Sequence, residues 1–552
     1  MNADLASVRR IEPGVIHRPS SDRTWWTTGN VGEAVPGVLT PLTYTFWARP
    51  FERTVRGSYA EMGVISRTDG RKATEEPDDI ALGVVFGRAV LNVNLVLSVG
   101  AGMPGTNAAE VAANILGDTA DDITALPPNT PLRYPVVAVR LPILAARLRR
   151  RMARVDDQVI RAWDELCEVD AMRARRMLPS IRKLFTAALT AHSHATFLSS
   201  AMFEPLAGLV GDRSDLLADL LSGYGGMVEV DMLQELWEVA HGRRRIAEWL
   251  SHYGYLGPFA GNLRSRSWRE DPAPIERLLA TYRAVGDADA PAGVERLRVA
   301  ARHSAEEELV SRVPVGKRPG IRLLLRLAAH FIPLREVGKN SYLRAVDAAR
   351  AGIRIAGADL AERRVLADPE DVWFLTWDEL MGTMPANVAP VIEARRAQHA
   401  AFEAMTIPDV FRGCPEPLPI TALASRAGEI GEVVLHGVPA NGGIVEGRAR
   451  VVADPIVDDD ALQPGEILVA AATDPSWTTL FVGAAAVVTD LGGALSHGAI
   501  VARELGLPCV TNVRTGTAVI RSGDLIRVDG GRGTVTRLSA PTRSALPPKG
   551  IR

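Results

Sequence analysis

The sequence predicts a multidomain protein, with a mainly α-helical domain over residues 1–404 followed by a smaller β/β/α domain over residues 432–540. Three observations carry this expectation. A chain of 552 residues exceeds what one hydrophobic core ordinarily serves. From about residue 136 to residue 365, apolar side chains recur at three- and four-residue spacing, the period of an amphipathic helix. Beyond residue 432 the pattern changes to short apolar runs (EVVLHGV, GRARVVAD, EILVAAAT, AAVVTD, PCVTNV, DLIRVDG, GTVTRLS) separated by Gly, Pro and Asp, and these read as strands. Between the two lies MTIPDVFRGCPEPLPITALASRAGEIG, residues 405–431, with four prolines and no periodicity, read as a linker. Residues 541–552 read as a frayed tail.

Composition narrows the function classes. The chain has 63 basic and 65 acidic residues, a net charge of -2, so no excess charge points to nucleic acid or a membrane surface. Cys167, Cys414 and Cys509 are far apart and odd in number, giving neither a disulfide framework nor a CxxC metal knuckle. The N-terminal MNADLASVRRIEPG lacks the apolar core of a signal peptide, and no run of ~18 apolar residues occurs, so a cytoplasmic location is expected.

In chain order, residues 1–30 read as a polar, irregular arm anchored by Trp25 and Trp26. Pro36 and Pro41 punctuate the next segment, placing a helix start at or after Pro41. Gly100, Gly102 and Gly105 match GxGxxG after an apolar run. A dinucleotide fold would need a second parallel strand ending in an acid about 20 residues on. The chain runs instead into GDTADDITALPPNTP, a loop, and the nucleotide reading is set aside. Amphipathic stretches follow over 136–169, 178–210, 214–223, 228–249, 274–285 and 295–312, and helices of this length need one another to bury their apolar stripes. Arg149 to Arg151 and Arg243 to Arg245 read as solvated faces.

Three segments interrupt the helical pattern. HSHATFLSS, residues 192–200, places His192 and His194 two apart, on different helix faces, so that pair is not expected to bind metal. SHYGYLGPFAGNLRSRSWRED, residues 251–271, is rich in glycine, aromatics and arginine, and lines a site or caps a bundle. IPLREVGKNSYLRAV, residues 332–346, sets Arg335 and Lys339 at i and i+4, side by side on a helix and suited to a phosphate; neutralisation by Glu336 on an exposed face is the competing explanation. Residues 357–381 read as helix end, turn, short apolar strand and helix.

The most informative stretch is TDLGGALSHGAIVARELGLPCVT, residues 489–511. An apolar strand ends at Thr489 and Asp490, a turn follows at Gly492 and Gly493, and Ser496 and His497 open a helix. Free backbone N–H groups and partial positive charge at a helix start suit an anion, and a neutral imidazole there is placed to accept a phosphoryl group.

GVPANGGIVEGRARVV, the stretch through ARELGLPCVT, and GDLIRVDGGRGTV together resemble the phosphohistidine swivelling domain of phosphoenolpyruvate-utilising enzymes, a family that includes pyruvate phosphate dikinase, phosphoenolpyruvate synthase and rifampin phosphotransferase. The resemblance implies that His497 carries the phosphoryl group, that Ser496 and the helix-start N–H groups steady it, and that Thr489 and Gly493 shape the turn. This sequence departs from the family pattern at Leu495, at Gly498 and at Asn441-Gly442. NVGEAVPGVLTPLT, HYGYLGPFAGNLRSRSWRED, PLREVGKNSYLRA and DVWFLTWDEL resemble the helical substrate-binding domain of the rifampin phosphotransferase-like branch, which implies phosphate contacts for Arg335 and Lys339.

No ATP-grasp domain, Walker A loop or phosphoenolpyruvate-binding barrel is recognised. The resemblance therefore implies a phosphotransferase subunit loaded from ATP and Mg2+ by a separate ATP-grasp polypeptide, with a small-molecule hydroxyl as acceptor and no metal of its own. Whether the donor is ATP or phosphoenolpyruvate stays open, as does the ring nitrogen used. A non-catalytic small-molecule binding or regulatory protein, and a phosphocarrier to another protein, are the alternatives. Trp25, Trp26, Tyr253, Tyr255 and Trp268 are candidates for an apolar pocket or for core packing. A carrier is expected to leave His497 accessible; burial with hydrogen bonds inside its own domain would count against it.

Overall fold

The computed structural model describes residues 14–29, 31–72, 74–100, 103, 133–211, 213–287, 290–382, 384–385, 387–419, 433–452, 462–494 and 496–539. Helix α1, Pro41–Met62, starts at the expected proline: the Thr40 hydroxyl accepts the Thr43 N–H, and Gly63 at φ 95° ends it in the left-handed region. Helices α2 (Tyr134–Leu166) and α3 (Ala171–Val210) follow, the latter capped by the Asp170 carboxylate on the Arg173 N–H. The expected helix 228–249 is two: α4 (Val228–Ala240) stops at the left-handed Gly242 and a second, Ile246–Tyr253, begins beyond it. Helices α5 (Pro291–Arg312) and α6 (Leu334–Glu362) follow, with the shorter Ser214–Leu220, Ala273–Arg283, Arg318–Phe331 and Ala389–Glu403 in the same domain. The apolar run expected as a strand near 372–375 is a 3-10 helix, Pro369–Phe374, because Asp368 and Asp371 form a capping box around Pro369.

Helix α6 is the spine of this domain, packed along α3 and α2 and buried along most of its length. Small residues bring it close: a Cβ at Gly338 would lie 2.8 Å from His192 Cα. That approach sets Arg335 and Lys339 of α6 beside His192 of α3, whereas His194 faces Glu61 on the other side of the helix.

The N-terminal arm is less irregular than expected. Strand β1, Trp25–Thr27, lies in a four-stranded sheet of order β2-β3-β1-β4, with β2 (Leu82–Val85), β3 (Arg88–Asn92) and β4 (Val410–Arg412). Phe86 and Gly87, both at positive φ, join β2 to β3 as a two-residue hairpin. The apolar run before Gly100 therefore supplies antiparallel strands and a helix to Gly100, not a parallel nucleotide-binding unit; Gly102, Gly105 and GDTADDITALPPNTP lie outside the described residues. Within the expected linker, Met405–Thr406 pairs with Leu418–Pro419 and β4 pairs with β1, so residues 405–419 are docked on the first domain. Residues 420–432 and the 541–552 tail lie outside the described residues.

The second domain is an eight-stranded mixed sheet, order β5-β12-β11-β7-β8-β9-β10-β6. Its strands are β5 (Val433–His436), β6 (Val438–Asn441), β7 (Ile444–Val452), β8 (Ile467–Ala470), β9 (Ala486–Thr489), β10 (Cys509–Thr511), β11 (Leu525–Asp529) and β12 (Thr534–Ser539). Strands β7 to β10 are parallel neighbours and the rest pair antiparallel. Alternate residues feed two cores, Leu468, Ala470 and Val487 on the side of helix α7 (His497–Glu504), and Ile467, Val469, Ala486 and Val488 on the other. Burial on both faces explains why these strands read as continuous apolar runs.

The domains dock through polar contacts. Phe259 N–H donates to Asp474 Oδ2 at 3.2 Å, Tyr282 Oη to the Thr479 carbonyl at 3.0 Å, and Gly223 N–H to the Glu504 carboxylate at 3.0 Å. The glycine- and arginine-rich segment 251–271 is thus a docking platform, held by buried Arg350 on the Ala260 and Leu263 carbonyls. None of the described helices is long and apolar enough to cross a membrane.

Candidate active site

Thr489 ends β9, and its hydroxyl donates to the Leu491 carbonyl at 2.8 Å. The chain turns at Gly492, φ 116°, where a Cβ would lie 2.8 Å from Ser496 Oγ, so only glycine fits. Ser496 is the N-cap of α7, its hydroxyl accepting the Ala499 N–H at 3.4 Å. His497 is the first residue of the helix.

His497 has no exposed surface, contrary to the accessible histidine expected of a carrier. The burial comes from docking as well as from its own domain. Nε2 meets Thr478 Oγ1 of the same domain at 3.0 Å, and Nδ1 meets Glu336 Oε2 of α6 in the first domain at 3.4 Å. A carboxylate only accepts, so Nδ1 carries the proton and Nε2 keeps a lone pair that accepts the Thr478 hydroxyl. Burial, with the Lys339 charge adding to it and Glu336 opposing, pushes the imidazole down to about 4, so the ring is neutral at physiological pH.

Glu336 is more than a neighbour of the basic pair. Burial alone would raise its carboxyl, but the His497 contact and the charges of Arg335 and Lys339 outweigh it and hold the group ionised. Arg335 Nη1 lies 3.9 Å from Glu336 Oε1 and, buried, has no hydrogen-bond partner among the described residues. Behind Glu336, Tyr255 Oη donates to Asn340 Oδ1 at 2.5 Å and Asn340 Nδ2 to Glu229 Oε1 at 3.0 Å. Burial and the Glu336 charge push Glu229 up to about 7. Glu229, Glu336 and His497 bring one imidazole and two carboxylates within 4.8 Å of one another. Lys339 lowers both carboxyls, and Arg335 that of Glu336.

A cavity of about 410 Å³ opens beside this centre. Arg335, Lys339, Gly493 and Ser496 line its polar end, with Glu33 and His192. Trp47, Phe51, Tyr59, Phe197 and Tyr342 supply an aromatic wall. The structure thus brings His497, Ser496, Gly493, Arg335 and Lys339 together. Thr489 is not among the cavity residues, and its hydroxyl is committed to the turn. Trp25, Trp26, Tyr253, Tyr255 and Trp268 are absent from this cavity too; Trp25, Trp26 and Trp268 serve packing, while Tyr253 and Tyr255 line a separate cavity with Trp163, Arg269 and Arg344. Leu495 lies outside the described residues.

Sequence reasoning missed Thr478, Glu229 and Glu33. In TDPSWTTLF nothing separates Thr478 from Thr479, whose hydroxyl caps the Ser476 carbonyl instead. Glu229 sits in an ordinary amphipathic pattern, and Glu33 on a one-turn helix, Val31–Ala34.

Comparison with known proteins agrees with this layout. Residues 462–533 match the family described as PEP-utilising enzyme, mobile domain, and residues 241–336 match the Rifampicin phosphotransferase fourth domain. The rifampicin phosphotransferase of Streptomyces sviceus is 33% identical over 325 residues, 57% of this chain and 37% of that protein. The Bacillus cereus enzyme of the same name is 31% identical over 303 residues, 53% of this chain and 34% of that protein. An uncharacterised protein of Mycobacterium tuberculosis is 37% identical over 301 residues, 54% of this chain and 32% of that protein. The chain spans about a third of the length of these curated relatives. His497 and its glycine turn thus fall in a mobile-domain match of the phosphoenolpyruvate-utilising family, and Arg335 and Glu336 close a match to a rifampicin phosphotransferase domain.

Proposed function

We propose that the chain is a phosphotransferase subunit in which His497 Nε2 carries a phosphoryl group to a hydroxyl of a small molecule bound in the aromatic cavity. The observation that supports it most is the meeting of His497 with Glu336, Arg335 and Lys339 across the domain interface, at the polar end of that cavity. The histidine is a covalent nucleophile that splits one transfer into two. Its neutral ring and the Nε2 lone pair, once released by the Thr478 hydroxyl, suit attack on phosphorus, and Nδ1–H on Glu336 lets it leave again as neutral imidazole. Arg335 and Lys339 offset charge on the transferring group, for which positioning and electrostatics are most of the catalysis.

His497 is sealed in the docked arrangement, so loading takes place with the second domain undocked. A separate ATP-grasp polypeptide, using ATP and Mg2+, is the proposed source of the phosphoryl group. The experiment is incubation with labelled ATP, magnesium and candidate ATP-grasp partners, followed by localisation of acid-labile label. Absence of label at His497 with every partner would sink the proposal.

The burial of His497 favours a second reading, a closed small-molecule binding protein that transfers nothing. His497→Ala separates the two: a carrier loses transfer, whereas a binder keeps its ligand affinity.

A further inference from the structure

We propose that Glu33 is the catalytic residue that takes the proton from the acceptor hydroxyl as it attacks the phosphoryl group on His497. The proposal rests on the carrier reading above. Glu33 belongs to the one-turn helix Val31–Ala34 and lines the polar end of the cavity together with Arg335, Lys339 and Ser496. Its carboxyl group faces the backbone N–H of His497 from the cavity side. Its Oε1 lies 3.3 Å from where a Cβ on Gly492 would stand. It is thus beside the start of α7, at the backbone of His497 and on the cavity side, while Glu336 and Thr478 hold the two ring nitrogens.

The other titratable groups of the cavity are less suited to the task. Arg335 and Lys339 are cations. Tyr59 and Tyr342 are raised by burial and stay protonated. His192 Nδ1 donates to the Arg335 carbonyl at 3.0 Å, leaving Nε2 free, but burial and the Arg335 charge lower the ring to about 4, a weak base. Burial raises Glu33, with Lys339 and Arg335 opposing and Glu336 adding to it. That shift moves a carboxylate toward the basicity a general base needs near neutral pH.

The step balances. The acceptor oxygen forms its bond to phosphorus while the phosphorus–Nε2 bond breaks and its electron pair returns to Nε2. Nδ1 keeps its proton on Glu336, so the ring leaves neutral. The hydroxyl proton passes to Glu33 and then to water.

The test uses the full chain, loaded chemically at histidine with labelled phosphoramidate, which removes the need for a partner. Benzyl alcohol and water serve as acceptors, and benzyl phosphate and inorganic phosphate are counted together. Wild type, Glu33→Gln and Glu33→Asp are expected to load His497 to the same extent, which also reports that the variants fold. Glu33→Gln is expected to release label ~10²–10⁴-fold more slowly, with Glu33→Asp between. Benzyl phosphate formation by wild type is expected to fall as pH drops and Glu33 is protonated, a limb absent from Glu33→Gln. A release ratio near one between wild type and Glu33→Gln, whatever the absolute rates, overturns the assignment. Failure of all three proteins to load at His497 overturns the carrier reading instead.

Discussion

Replacing Glu336 with Gln separates the two halves of the proposed reaction. Glu336 belongs to α6, so it touches His497 only when the domains are docked. Loading in the undocked state is therefore expected to proceed at the wild-type rate. Transfer is different, because the phosphorylated ring must keep Nδ1 protonated to leave as neutral imidazole. A hydrogen bond to a charged group contributes ~1.5–3 kcal/mol. The Nδ1 to Oε2 separation of 3.4 Å puts this one at the weaker end. Loss of ~1.5 kcal/mol from the transition state slows transfer about tenfold. The pH dependence shifts as well. Glu336 raises the affinity of the ring for its proton, so the variant must draw that proton from solvent and its transfer rises as pH falls. The time course of labelling by phosphoramidate measures loading, and single-turnover release from the loaded protein, followed by rapid quench, measures transfer. Equal slowing of loading and transfer, or unchanged transfer, would refute the assigned role.

Three further outcomes are expected. Thr478 travels with His497 on the same domain and its hydroxyl occupies the Nε2 lone pair that attacks phosphorus, so Thr478→Val, which removes a neutral hydrogen bond of ~0.5–1.5 kcal/mol that loading must break, is expected to speed loading about two- to tenfold, read by initial rates of labelling. Lys339→Met removes a cation from the cavity's phosphate end and is expected to cut transfer by ~10²–10³ with loading unchanged, read in the same release assay. Glu504, raised to about 7 by burial at the interface, contributes docking stability when protonated; that contribution is full below about 4.5 and is lost as pH rises through about 7. Glu504→Gln is therefore expected to dock more tightly than wild type at pH 7.5, with the difference vanishing toward pH 4.5, as interdomain fluorescence transfer would report.

The fold class was legible because its two halves have different periods. Pro41 marks the start of α1, three- and four-residue spacing marks α2 through α6, and doubly buried apolar runs mark β8 and β9. The glycine turn and His497 were legible because Gly492, Ser496 and the helix start form one local unit within a few residues. What escaped was nonlocal. Glu336 looked like a partner that would neutralise Arg335 and Lys339, and only the docking of α7 onto α6 turns its carboxylate toward Nδ1. Thr478, Glu229 and Glu33 reach the site from separate elements with no spacing to announce them. The 405–419 segment was read as a linker from its prolines, yet β4 pairs with the tryptophan strand β1 far away in sequence. His497 was expected to be accessible; its burial comes from Thr478 of its own domain together with Glu336 across the docked interface, a combination no local pattern announces.

In the proposed reaction Nε2 of His497 carries the phosphoryl group. The most direct measurement is phosphorus NMR with site localisation on the labelled full chain, beside His497→Ala. One acid-labile, alkali-stable phosphohistidine at Nε2 is expected, absent from the variant. Label that persists in His497→Ala, or that sits at Nδ1, would contradict it.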